Sequence, residues 1–141
     1  MSVYLDASFL VPLFANQAPL TARASTYMEA NTPEVVISDL AGAGFASAIA
    51  RLTRIGALTV AQAAGLFADF DSWVARVATR AETTAADVGT AAGYIRRLAF
   101  NLRMADALNI AIAQRTADSL ATFDTRMAES ATTLGLSVAT L

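Results

Sequence analysis

The sequence predicts an α/β domain built on a mainly parallel sheet with helices over both faces. Three observations lead there. Short stretches rich in Val, Ile and Leu alternate with segments of helical periodicity along the whole chain. Asp, Ser, Thr, Gly or Pro punctuate those stretches where strands and helices should meet. Hydrophobic residues make up 55% of the chain and charged residues only 16%, so there is enough apolar surface to cover a sheet on two sides. The 141 residues suffice for one core and not for two ordinary ones, so residues 1–141 read as a single domain.

Taken in order, Ser2 to Leu5 reads as a buried strand ending at Asp6, followed by a short helix from Ala7 to Phe14. Pro19 to Ala30 reads as a helix opened by a proline, and Glu34 to Ile37 as a second strand. Ser38 or Asp39 can cap the next helix, about Leu40 to Ile55, which has Phe45, Ile49 and Leu52 at helical spacing and Gly56 as its stop. Thr59 caps another helix with an apolar face of Leu66, Phe67, Phe70 and Trp73, and a short strand is expected near Val74 to Val77. Thr83 or Thr84 caps a helix from Ala85 to about Phe100, and Asp106 stands near the start of one reaching about Thr116. Ser119 to Phe123 is the next strand, then a helix from Thr125 to Leu134 stopping at Gly135, then a last strand from Leu136 to Ala139.

The composition narrows the chemistry. Cysteine and histidine are absent, so any metal must be held by oxygen. The apolar runs are too short to span a bilayer, and the first residues lack the pattern of a signal peptide, so a soluble protein of the cytosol is expected. A net charge of −2 gives no bulk attraction for nucleic acid and leaves that role to local arginines, such as the cluster Arg96, Arg97 and Arg103, although a solvated face is the plainer reading of each.

Asp6 and Asp124 each follow a strand, which places both at the carboxyl edge of a parallel sheet, where ligands of this architecture bind. Carboxylates gathered there repel one another unless a hard cation sits between them, and an all-oxygen site suits Mg²⁺ or Mn²⁺. Asp106 is the natural third member. Each aspartate has a plainer reading: Asp6 and Asp124 as helix caps, Asp106 as a first-turn acid complementing a helix dipole. Asp87 reads as a dipole partner, and Asn109, three residues beyond Asp106, as a cleft residue or a surface amide.

Three segments resemble the motifs of PIN domains, specifically of VapC-type toxins. Val3-Tyr4-Leu5-Asp6-Ala7-Ser8 is similar to their opening motif, Leu102-Arg103-Met104-Ala105-Asp106-Ala107-Leu108-Asn109-Ile110-Ala111 to their central acidic helix, and Ala121-Thr122-Phe123-Asp124 to their last acidic motif. The resemblance covers nearly the whole chain and implies a PIN-like three-layer sandwich. It also implies a Mg²⁺- or Mn²⁺-dependent endoribonuclease, with Asp6, Asp106 and Asp124 as catalytic and metal-holding residues and Ser8, Asn109 and Thr122 in support. A cognate antitoxin, an RNA substrate and a homodimer come with it as expected partners.

One position departs from the family. Where Ser38-Asp39-Leu40-Ala41-Gly42-Ala43-Gly44 aligns, the family carries a glutamate in place of Gly44. Asp39 is no substitute, because five residues of helix turn it about 140° away. Glycine inside a helix costs about 0.5–1 kcal/mol relative to alanine, so Gly44 is not a helix-stabilising choice, and it fits neither the fold nor the chemistry. A natural enzyme working with three aspartates, a decayed toxin, and a glutamate replaced so that a toxic enzyme could be expressed all account for it, and a lost glutamate is the favoured reading. The alternative function is an inactive PIN-like module that still binds antitoxin or metal. A phosphoacceptor domain ranks below both, since the chain contains no lysine.

Overall fold

The computed structural model describes residues 1–141, and its organisation follows from five short strands that cannot stand without helices on both sides. In chain order these are β1 (Ser2–Leu5), α1 (Ala7–Phe14), α2 (Leu20–Asn31), β2 (Glu34–Ser38), α3 (Asp39–Arg54), α4 (Val60–Val77), β3 (Ala78–Ala81), α5 (Ala85–Arg96), α6 (Met104–Thr116), β4 (Ser119–Ala121), α7 (Thr125–Thr133) and β5 (Ser137–Val138). All strand pairs are parallel, in the order β3-β2-β1-β4-β5. The first strand is therefore the central one. Val3, Tyr4 and Leu5 are fully buried, as a strand covered on both faces requires.

This order creates a switch point. From β1 the chain builds outward through β2 and β3, then returns to place β4 on the other side of β1, with Leu5 level with Ala121. At such a reversal the following loops diverge and leave a crevice beyond the strand ends. Asp6 leaves β1 there, and Thr122 and Asp124 follow β4.

The local chemistry explains most element ends. Ser38, not Asp39, caps α3, its hydroxyl accepting the Ala41 N–H at 2.9 Å. Asp39 is instead the first helical residue and accepts from the backbone N–H and hydroxyl of Thr83, tying α3 to the loop after β3. Thr59 and Gln62 form a reciprocal capping box at the start of α4. Gly56 and Gly135 adopt φ of +80° and +87° just past α3 and α7, a conformation that favours glycine. Two expected elements move: Val74–Val77 is the last turn of α4, with the strand following at Ala78–Ala81, and α5 stops at Arg96 rather than Phe100.

On one side of the sheet, Phe45 stacks on Phe70 with ring centroids 4.3 Å apart, and Phe14 meets Phe45, Phe70 and Trp73 edge-on. This aromatic cluster clamps α1, α3 and α4 together. No helix is long and apolar enough to cross a membrane.

Candidate functional site

Asp6 is the deepest acidic group at the switch point, with only 5% of its surface exposed. It is the N-cap of α1: one carboxylate oxygen accepts the Phe9 N–H at 3.1 Å and the Ser8 hydroxyl at 2.8 Å. The other accepts the Ser8 hydroxyl at 3.0 Å and the Thr122 hydroxyl at 2.9 Å. Burial raises its pKa to about 6, the hydroxyl and amide donors oppose that rise, and the nearby charge of Asp124 adds to it.

Thr122 and Ser8 lock the two loops together. Their hydroxyls lie 3.0 Å apart, Ser8 accepts the Phe123 N–H, and Thr122 accepts the Asp124 N–H. Asp124 is the N-cap of α7 and accepts the Met127 N–H at 3.1 Å. The capping readings of Asp6 and Asp124 are thus what the carboxylates do locally. The two stand close enough to repel, across a lattice of hydroxyls that the sequence places at Ser8 and Thr122.

Asp106 occupies the first turn of α6, where its carboxylate turns back to accept the Arg103 N–H at 3.1 Å. It does not join the other two: no three acidic side chains converge into a group that could hold a metal ion. Asn109 is drawn inward, accepting the Tyr4 hydroxyl at 2.6 Å and donating to the Ala105 carbonyl at 2.9 Å. The Tyr4 hydroxyl also meets the Ser38 hydroxyl at 2.5 Å, so a buried chain Ser38–Tyr4–Asn109 links the start of α3, the central strand and α6. Burial pushes the Tyr4 phenol above its ordinary range. Tyr4 was legible as a tyrosine inside an otherwise aliphatic buried strand, where its hydroxyl must find partners.

Gly44 has a packing role that overturns the expectation that it fits neither fold nor chemistry. A Cβ at position 44 would lie 3.0 Å from the Ala7 Cβ, closer than side chains ordinarily approach. Glycine lets α3 pass α1 directly behind Asp6. The cleft in front, about 510 Å³, is lined by Ser8, Ala48, Arg51, Phe123, Asp124 and Arg126 among others. Its arginines are Arg51 and Arg126; Arg96, Arg97 and Arg103 do not line it.

A divalent cation would find oxygen donors of the right kind here but not a seat. Both oxygens of Asp6 are engaged by internal donors, Asp106 is tied to its own helix, and Gly44 offers no carboxylate. The residues present do not fit a finished metal site. Asp87, by contrast, belongs to a structural pair: it closes a capping box with Thr84 and accepts Arg115 through both oxygens, at 2.8 and 2.7 Å.

The PIN domain family model matches residues 3–132. No curated protein sequence gives a significant match. Among solved structures, VapC20 of Mycobacterium tuberculosis, described as a sarcin-ricin loop cleaving toxin, superposes with a TM-score of 0.72 at 15% identity, over 91% of this chain and 94% of that one. FitAcB of Neisseria gonorrhoeae gives 0.71 at 18% identity, over 98% and 96%. VapBC2 of Rickettsia felis, bound to a DNA fragment from its promoter, gives 0.70 at 14% identity, over 99% and 98%. At these identities the superpositions speak to fold, and the family match extends across the switch point and nearly the whole chain: the protein belongs to the PIN domain family.

Proposed function

We propose that this chain is the toxin component of a type II toxin–antitoxin pair in the cytoplasm, an endoribonuclease scaffold left with weak cutting power by Gly44. The observation that carries the reading is the buried Asp6, held by Ser8 and Thr122 beside Asp124 at the switch point of a parallel sheet. The PIN family match and the similarity to VapC20, a toxin that cleaves RNA, and to VapBC2 support it. Asp6 and Asp124 are the catalytic candidates; Asp106, the third of the set by family resemblance, would have to turn from the Arg103 N–H before the three could hold Mg²⁺ or Mn²⁺. Ser8 and Thr122 orient Asp6, and the Tyr4–Asn109 bond anchors α6, which carries Asp106. An antitoxin chain and a second copy of this protein are the partners that accompany the reading.

A second reading, an inactive PIN-like module that retains partner binding, is favoured by the contact at Gly44: the α1–α3 approach leaves no room for a side chain there without movement of Ala7.

The two are separated by cleavage of a mixed RNA pool in Mn²⁺ or Mg²⁺. The proteins compared are the native chain, Gly44→Glu with Ala7→Gly to relieve the contact, and Asp6→Asn in each background. The expected result is slow Asp6-dependent cutting by the native chain and faster cutting by the glutamate variant. If neither cuts, the ribonuclease reading fails and the binding module stands.

A further inference from the structure

The cleft beside Asp124 holds two guanidinium groups on separate elements, Arg51 from α3 and Arg126 from α7. Neither has a carboxylate partner, since the one ion pair in the protein is Arg115 with Asp87. Arg51 lies in the last turn of α3, where a cation complements the helix dipole. That account fails for Arg126. It is the second residue of α7, where the dipole is positive and a cation is disfavoured; Glu129, three residues on, borders a neighbouring pocket with it but forms no ion pair.

The face of α3 turned to the cleft is shaped for a ligand. Ala48, Arg51 and Leu52 line the cleft from one side of the helix, at helical spacings of three and four. The small side chain of Ala48 keeps the floor open, and Arg51 borders it one turn further on. Phe123 borders the cleft with its ring stacked on Phe9, centroids 5.5 Å apart, and overlaid by the Arg23 guanidinium at 5.1 Å. The volume of about 510 Å³ is of the size that takes a small ligand or one strand segment, and is too narrow for a duplex.

The geometry points to Arg51 and Arg126 as a clamp for the backbone phosphate of single-stranded RNA, beside the acidic pair Asp6 and Asp124. This assignment rests on the RNA reading above and adds to it where the strand is held. Forked N–H donors from two guanidiniums match the oxygens of a phosphodiester. Asp124 lines the same cleft, so a strand held by the two arginines runs past the acidic edge. A chain of net charge −2 lacks bulk attraction for RNA, so these two side chains carry a large share of the affinity.

The test is fluorescence anisotropy with a short labelled oligouridylate in EDTA, where binding is read without cutting, across a range of NaCl concentrations. R51A/R126A is expected to weaken binding by about tenfold and to make the dependence of log K on log salt shallower by about 1.4, two contacts at about 0.7 each. R54A/R76A, with the same charge change on exposed helix positions, is expected to bind as the native chain does. Equal losses in the two double variants, or no loss in R51A/R126A, would overturn the clamp even if Asp6-dependent cleavage is seen. So would a duplex RNA or a polyglutamate peptide bound as tightly and with the same dependence on the two arginines. Loss of oligouridylate binding in R51A/R126A, with no cleavage by any variant, would leave the clamp standing and remove the nuclease reading.

Discussion

Asp6 and Asp87 are both nearly closed off from solvent, at 5% and 3% exposure, yet their pKa values move in opposite directions, to about 6 and about 2. Both cap helices. The difference is the partner. Asp87 lies just below the surface against Arg115, whose side chain still reaches water, so its charge is stabilised where it forms. Asp6 lies under the sheet edge with hydroxyl and amide donors only, and with a second carboxylate near it. A fold maintains an unpaired buried carboxylate at a cost in stability, and such positions concentrate where a protein binds or reacts. One aspartate carries its charge beside a cation; the other is buried with no cation to offset its charge.

The largest expected effect tests that contrast directly. The folded protein holds a proton on Asp6 more tightly than the unfolded chain does, so stability falls as pH rises from about 4 through about 6. A shift of that size corresponds to about 3 kcal/mol. Asp6→Asn abolishes that part of the pH dependence, so its stability relative to the native chain should improve by up to about 3 kcal/mol between pH 4 and pH 7.5, read by urea unfolding. A difference that stays flat with pH would mean that Asp6 ionises as freely as an exposed carboxyl.

Asp87 runs the other way. Its lowered pKa gives stability that is present above about 4 and lost as pH falls towards about 2. Asp87→Ala removes one half of the capping box, the bond from the Thr84 N–H, together with the ion pair, and should cost about 2 kcal/mol at pH 7, with the penalty shrinking in acid. Thermal melts at pH 7 and pH 2.5 would show it. A pH-independent loss would reduce Asp87 to a packing residue.

The smallest effect concerns the helices behind Asp6. Gly44→Ala should destabilise by about 1 kcal/mol, despite the better helix former, because Ala7 cannot recede without shifting α1. Combining it with Ala7→Gly should recover about that amount in a double-mutant cycle. Additive losses would show that the two positions do not touch.

The sequence revealed the parts of this site that depend on local order. Asp6 and Asp124 could be placed because each follows a buried apolar strand, and Ser8 and Thr122 because each lies two positions from one of those aspartates. The strand at Ala78–Ala81 was assigned too early, since the valines of Val74–Val77 look more strand-like than an edge strand whose middle residues are exposed. Helix α5 ends at Arg96 without a glycine to mark it, with Leu98 taking φ of 60° in the turn. The contact between Gly44 and Ala7, the pairing of Asp87 with Arg115 and the cleft shared by Arg51 and Arg126 join residues far apart in the chain, and no local pattern contains them.

The strand order also sets when the site can exist. Thr122, which donates to the Asp6 carboxylate, comes 116 positions after it in the chain. While the chain is still on the ribosome, β1 therefore has no neighbour on its β4 side and the acidic pair is unformed. A chain broken off anywhere before Thr122 carries the first motif without the second. Whatever the finished edge does, it cannot begin until Thr122 and Asp124 have been made and β4 has docked beside β1, so unfinished copies lack it.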